Sequence, residues 1–316
     1  MVDVAILDDY QEVALSSADW SAVTSRADVT VFTDHIADEA ALIQRLATFD
    51  VIVAMRERTA FPATVLDRLP RLRLLITTGM ANASIDLKAA ARLGVTVCGT
   101  GGSGAATPEL VWGLILALAR YIPQEDAAVR AGGWQRTVGR ELAGSTLGLL
   151  GLGRIGQRIA RYARAFDMDC IAWSQNLTAE RAEAAGARLV TKQQLFAEAG
   201  IVSVHLKLSE RTVGLVGAAE LAWLGPDGLL VNTSRGPIVD EAALIQALGQ
   251  GSIGGAALDV FDTEPLPPGH PLRMMPNTVL TPHIGYVAQE AYAIFYAEAV
   301  DDIAGWLDGS PARVLA

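Results

Sequence analysis

Leu147-Gly-Leu-Leu-Gly-Leu-Gly-Arg-Ile-Gly156 sets Gly151, Gly153 and Gly156 in G-x-G-x-x-G spacing directly behind an apolar, strand-like run. Ile155, Ile159, Ala163 and Phe166 follow at helical spacing on one face, so the glycines stand at a strand-to-helix turn. Each glycine there meets a separate steric need, with a sharp turn at the first, close approach of a pyrophosphate to backbone at the second and helix-on-strand packing at the third. The helix N-terminus offers N–H groups to a phosphate. A dinucleotide cradle of Gly151, Gly153, Arg154, Ile155 and Gly156 is expected; a bare βα turn is the weaker alternative.

About 20 residues further on, such folds usually carry an acid that grips the ribose 2′-hydroxyl. The second strand, Cys170-Ile-Ala-Trp173, ends instead in Ser174-Gln175-Asn176. Without a carboxylate to repel a 2′-phosphate, the cofactor reads as NAD or NADP, with Ser174 and Gln175 at the ribose.

Outward from this unit, short β-branched runs alternate with helical patterns along the chain, the mark of parallel α/β architecture. Val4–Leu7, Val29–Phe32, Val51–Ala54, Leu74–Thr77 and Val95–Cys98 form one series of strands; Leu147–Leu150, Cys170–Trp173, Ile201–Leu206, Leu229–Thr233, Ala256–Phe261 and Thr278–Thr281 form another. The expected fold class is α/β, with two doubly wound parallel-sheet, Rossmann-like domains and an active-site cleft between them. One domain would be discontinuous, residues 1–99 plus 288–316, because the helical segment Val287–Leu307 follows the last strand. The dinucleotide domain would span 100–287, opening with the glycine-rich Gly99–Gly104, Thr107 as N-cap with Pro108 behind it, and an apolar helix to Ala119.

The 316 residues carry 25 Lys+Arg against 35 Asp+Glu, a net charge of −10, and no dense basic run, which argues against nucleic-acid or anionic-membrane partners. Hydrophobic residues make up 51% and charged residues 19%, which excludes a disordered chain. The longest apolar run, around Leu110–Ala119, is too short for a bilayer span. The N-terminus lacks the basic head of a signal peptide. Cys98 and Cys170 each sit in an apolar strand, so reduced thiols and a cytoplasmic location are expected, with no metal site.

Ligands in open α/β sheets sit beyond the carboxyl ends of strands. Those ends deliver Thr233-Ser234-Arg235-Gly236, then Asp259, then Asp262-Thr-Glu264-Pro265, then His283. Reduction of a 2-oxo acid needs a planar cation for the carboxylate, a proton donor for the carbonyl oxygen and a partner for that donor. Arg235 suits the first because guanidinium pairs bidentately and stays charged. His283 suits the second, since imidazole titrates near neutrality, and Glu264 the third, orienting the imidazole and favouring its protonated form. Of the other histidines, His35 reads as a surface residue, His270 as a turn contact and His205 as structural. Arg56, at the end of a first-domain strand, could meet a second anionic group of the substrate.

The chain resembles the D-isomer-specific 2-hydroxyacid dehydrogenases over almost its whole length. The matching blocks are Leu142–Gly156, Val231-Asn-Thr-Ser-Arg-Gly-Pro-Ile-Val-Asp-Glu241, Leu258-Asp-Val-Phe-Asp-Thr-Glu-Pro265 and Thr281-Pro-His-Ile-Gly285. The resemblance implies Arg235, Glu264 and His283 in the roles above and Asp259 near the nicotinamide carboxamide. It further implies Thr78, Gly79 and Met80 as backbone donors to the substrate carboxylate, and Thr107, His205, Thr212 and Thr233 near the cofactor. It implies a homodimer built on the Leu110–Ala119 helix and the arm near Trp134. Lys207 stands where a proline is usual and would set a cation beside the nucleotide. Tyr286 stands where a small residue is frequent, beside the substrate. The implied substrate is a small 2-oxo or 2-hydroxy acid such as glyoxylate or hydroxypyruvate. The 33 residues after His283 leave no room for a C-terminal regulatory domain, so serine-type feedback is not expected. The rival reading is a dinucleotide-sensing, corepressor-like interaction protein with little turnover; a formate-oxidising relative is weaker still, because that reaction needs no acid–base histidine.

Overall fold

The computed structural model describes all 316 residues, which form two compact units: Met1–Ser103 with Val287–Ala316, and Gly104–Tyr286. The first unit holds five parallel strands, β1 (Val2–Ile6), β2 (Ala27–Val31), β3 (Val51–Ala54), β4 (Leu74–Thr77) and β5 (Thr96–Gly99), in the order β2-β1-β3-β4-β5. β3 and β4 are buried throughout, as strands covered on both faces must be, which is why they read as unbroken apolar runs rather than alternating ones. The tail adds one antiparallel bridge at the β5 edge, Cys98 to Val314.

The second unit holds seven parallel strands, β6 (Thr146–Leu150), β7 (Asp169–Trp173), β8 (Arg188–Leu189), β9 (Ile201–Val204), β10 (Leu229–Asn232), β11 (Gly255–Leu258) and β12 (Thr278–Leu280). Their order, β12-β11-β10-β9-β6-β7-β8, reverses between β6 and β9, the crevice where doubly wound sheets bind ligands. Two apolar layers sandwich the sheet. Val111, Ile115, Ile159 and Ala163 cover one face; Leu195, Phe196, Leu221 and Leu244 cover the other.

The expected strands are all present, with ends shifted by up to three residues, and β8 is an addition: two residues carry no readable period. The apolar helix begins at Ala106, so Thr107 lies inside its first turn and is not the N-cap. Pro108 is tolerated there because first-turn N–H groups have no intrahelical acceptor. The Leu110–Ala119 stretch is spent largely on its own unit's core, through Val111, Trp112, Leu114, Ile115, Leu118 and Ala119. Phe166 is 40% exposed, yet its ring meets Trp112 at 4.8 Å. Both thiols are free and buried, and burial pushes Cys98 up to about 12 and Cys170 up to about 11, so neither ionises near neutrality.

Candidate active site

The glycine turn follows β6. Gly151 has φ +105°, and a Cβ at Gly156 would stand 2.3 Å from the Gly151 carbonyl oxygen, so neither position admits a side chain. Gly153 faces open space and precedes the helix Arg154–Ala165, which no side chain caps. The leading N–H groups of that helix therefore point to where a phosphate would sit. Beside the turn, His205 Nε2 is buried without a hydrogen-bond partner. The residue retains some exposed surface, but burial of the ring brings its pKa down to about 4, so the imidazole is neutral. A cradle that a Cβ would fill, an uncapped helix end and an orphaned imidazole nitrogen fit a dinucleotide.

At the end of β7, Ser174 is half-buried and Gln175 exposed, with no acid among Ser174-Gln175-Asn176. Lys207 is exposed, and Thr212 closes its turn, donating from Oγ1 to the Lys207 carbonyl at 2.8 Å and accepting from Ser209 N–H at 2.8 Å. Thr107 lies against Gly285, and Thr233 is buried at the end of β10.

Three adjacent strands, β10, β11 and β12, carry the remaining groups at their carboxyl ends. After β10, buried Asn232 shapes the Arg235 turn: its Oδ1 accepts Ser234 N–H at 3.0 Å and its Nδ2 donates to the Arg235 carbonyl at 3.0 Å. Arg235 Nη1 donates to the Ser234 carbonyl at 2.6 Å, and Ser234 Oγ donates to the Leu206 carbonyl. Gly236 then lies so close to Phe261 that a Cβ would stand 2.1 Å from its carbonyl carbon. Asn232 escaped the sequence reading because a strand-terminal amide looks like any turn residue.

After β11, Phe261 N–H donates to Glu264 Oε1 at 2.9 Å, and Glu264 Oε2 meets His283 Nδ1 at 2.6 Å. The carboxylate thus accepts a hydrogen bond from Nδ1–H and leaves Nε2 as the outward nitrogen. Asp259, fully buried, accepts from Thr281 Oγ1 at 2.6 Å and from Ile284 and Gly285 N–H at 2.8 Å each. Burial outweighs these bonds and raises its pKa. Its carboxylate clasps the loop on which His283 sits at φ +54°. Tyr286 meets the His283 ring edge-to-face at 5.7 Å.

In the first unit, Arg56, Thr78 and Gly79 come together. Arg56 N–H donates to Thr78 Oγ1 at 2.9 Å, and Arg56 Nη1 donates to the Thr78 carbonyl at 3.1 Å. Two of the three expected carboxylate donors are already engaged: Thr78 N–H with the Ala54 carbonyl, and Gly79 N–H with Thr100 Oγ1 at 2.9 Å. Met80 is 52% exposed. Asn82, unforeseen, ties the Arg56 carbonyl to Thr77 Oγ1. His35, expected at the surface, is half-buried: it bonds buried Asp8 at 2.9 Å, and that carboxylate raises its pKa.

Residues 112–285 match the family model described as D-isomer specific 2-hydroxyacid dehydrogenase, NAD binding domain. The chain belongs to that family. Glyoxylate reductase from Aeropyrum pernix is 40% identical to this family member over 255 residues, 78% of this chain and 76% of the relative. D-3-phosphoglycerate dehydrogenase from Archaeoglobus fulgidus is 36% identical over 86% of the chain, which spans only 52% of that relative's length. Among solved structures, phosphoglycerate oxidoreductase from Vibrio cholerae superposes with a TM-score of 0.93 at 38% identity, covering 98% of this chain and 100% of that one. The resemblance read from the four sequence blocks is borne out, as are the two parallel-sheet folds and NAD(P) as the cofactor. No helix of this 2-hydroxyacid dehydrogenase homologue is long and apolar enough to cross a membrane.

Proposed function

We propose that the protein is an NAD(P)-dependent oxidoreductase interconverting a small 2-oxo acid, of the glyoxylate or hydroxypyruvate kind, and a D-2-hydroxy acid. The 2.6 Å pairing of His283 Nδ1 with Glu264 Oε2 carries this reading, because it leaves Nε2 as the one imidazole nitrogen free to exchange a proton with substrate. When bound, the nicotinamide supplies hydride to C2 of the oxo acid or takes it from the hydroxy acid. In reduction His283 Nε2 gives its proton to the carbonyl oxygen, and the Glu264 carboxylate stabilises the imidazolium that precedes the transfer. In oxidation Nε2 takes the hydroxyl proton back. Arg235 holds the substrate carboxylate bidentately and draws charge from the carbonyl.

In this reading 100–287 is the dinucleotide-binding domain and 1–99 with 288–316 the substrate domain. Gly151, Gly153, Arg154, Ile155 and Gly156 hold the pyrophosphate. Ser174 and Gln175 hold the ribose, and Thr107, His205, Lys207, Thr212 and Thr233 line the nucleotide. Asp259 holds the His283 loop through both carboxylate oxygens, and Oδ2, which accepts a single bond there, keeps capacity to accept from the nicotinamide carboxamide. Arg56, Thr78, Gly79, Met80 and Tyr286 border the substrate; Met80 is the backbone donor best placed to serve, since Thr78 and Gly79 are committed within the chain.

A cytoplasmic homodimer completes the reading. It is supported by exposed apolar side chains on the 122–138 segment, Trp134 at 75% and Val138 at 94% exposure, together with Ile122 and Val129. Loss of reduced-cofactor absorbance over a panel of 2-oxo acids, with NADH and NADPH in parallel, tests the reaction. Arg235→Lys should raise KM and lower kcat, because ammonium cannot reproduce the guanidinium fork. Tight cofactor binding with no acid reduced would overturn the reading, and sedimentation as a monomer would overturn the dimer.

A further inference from the structure

The β10 and β11 segments are fastened to each other by residues outside the groups described so far. Glu241 opens the helix Glu241–Gln250, a few residues after Arg235. Capping there is done by Asp240, whose Oδ1 accepts Ala243 N–H at 3.0 Å, so the Glu241 carboxylate is not needed for it. It turns to the segment after β11 instead. Oε1 meets His270 Nε2 at 3.1 Å, and Oε2 faces the Asp262 amide nitrogen at 3.5 Å. Leu272 N–H points to His270 Nδ1 at 3.4 Å, which assigns the ring proton to Nε2 and makes His270 the donor to Glu241. Asp262 precedes Glu264 by two residues and His270 follows it by six, so the contacts bracket Glu264 from both sides.

We propose that Glu241, acting with His270, is a positioning residue: it holds the 262–270 segment so that the Glu264 carboxylate stays on His283 Nδ1. This rests on the oxidoreductase reading above. The bracketed segment has no regular secondary structure through Pro267, and Glu264, whose side chain is 33% exposed, is held from its own loop by a single bond, from Phe261 N–H to Oε1. A short charge-assisted bond is lost when its carboxylate swings by an ångström. Gly236 against the Phe261 carbonyl sets the distance between the two segments, and Glu241 locks their far ends. The Arg235 turn and the Glu264 loop are thereby joined into one body, which keeps the substrate's anion anchor in register with the partner of its proton donor.

The test uses the full chain: wild type, Glu241→Ala, Glu241→Asp and Glu241→Gln, each also in a Glu264→Ala background. Kinetics with glyoxylate and hydroxypyruvate would be measured beside the low-field imidazole N–H resonance of His283, assigned by its absence from His283→Gln. Glu241→Asp keeps the charge at the helix N-terminus, and so the fold, but falls one methylene short of His270. Glu241→Ala and Glu241→Asp should lower kcat on the order of 10- to 100-fold with KM for cofactor little changed. Glu241→Gln should recover part of that loss, because its amide oxygen still accepts from His270 while its NH2 cannot accept the Asp262 N–H. In the Glu264→Ala background, Glu241→Ala should add nothing further, since both act through one contact. The His283 resonance should disappear in Glu241→Ala and Glu241→Asp and persist in Glu241→Gln. Equal kcat losses in both backgrounds, or a resonance that survives Glu241→Asp, would overturn the proposal. A wild type that reduces neither acid would sink the oxidoreductase reading alone, and the resonance would still decide whether Glu241 holds Glu264.

Discussion

His283 presents Nδ1 to Glu264 Oε2 at 2.6 Å from a backbone held at φ +54°, a conformation that non-glycine residues adopt only when their surroundings impose it. Here Asp259 does the imposing, through the three bonds it accepts from Thr281, Ile284 and Gly285. The His283 imidazole is thus fixed from below by one carboxylate and from the side by another.

Removing the imidazole should cost more than weakening its partner. His283→Ala should lower kcat by roughly 10²- to 10⁴-fold, the usual worth of a positioned acid or base. Glu264→Gln keeps an acceptor for Nδ1–H but loses the charge that pairs with imidazolium, so its loss should be smaller. Steady-state rates of the two variants check both; a Glu264→Gln enzyme as fast as wild type would remove Glu264 from the proton-transfer step.

The second and third glycines of the turn should fail differently when given a methyl group. Gly156→Ala drives Cβ against the Gly151 carbonyl oxygen and should cost about 1–3 kcal/mol of stability. Gly153→Ala meets nothing within 4 Å and should leave the melting temperature almost unchanged while weakening cofactor binding, because the added methyl occupies the phosphate approach. Thermal melts beside fluorescence titration with NADH and NADPH separate the two effects.

Ser174→Asp places a carboxylate at the ribose end of β7, where the chain has none. Like charges repel a 2′-phosphate, so the NAD/NADP ratio of kcat/KM should rise roughly tenfold or more, the equivalent of about 1.4 kcal/mol. A ratio that does not move would place the ribose elsewhere.

Asp302 should make the first unit less stable as pH rises. It is fully buried, and burial lifts its pKa to about 6 although Arg313 stands 3.1 Å away. The folded state then holds a proton that the unfolded chain releases near 3.8, so stability is highest below that value and falls as pH climbs towards 6. Asp302→Asn should abolish this slope and raise stability at neutral pH by roughly 2 kcal/mol. Urea denaturation of wild type and variant from pH 4 to about 7 would check it; parallel curves would mean that Arg313 compensates the buried charge in full.

Much of this was legible in the chain because it is local. The strand β6, the glycine turn and the helix behind it follow from periodicity and from glycines that geometry requires. Arg235, Glu264 and His283 were readable because strand ends are the working edge of a parallel sheet. Glu241, Asn82 and Thr100 were not, since each acts through a hydrogen bond whose other end belongs to a different segment, and nothing in a residue's own neighbourhood marks that.

His35 and Thr107 mark the same divide. His35 reads as loop and surface, yet Asp8, 27 residues away, draws it inward. Thr107 has the chemistry of an N-cap, yet the helix begins a residue before it. Alternation, glycine spacing and residue chemistry settled the architecture and the cofactor class and marked Arg235, Glu264 and His283 as the candidate trio, because short-range sterics and charge dictate them. Orientation came from folding: which ring nitrogen His283 turns to Glu264, what Asp259 is occupied with and which amides are already taken depend on atoms brought within hydrogen-bond reach by long-range packing.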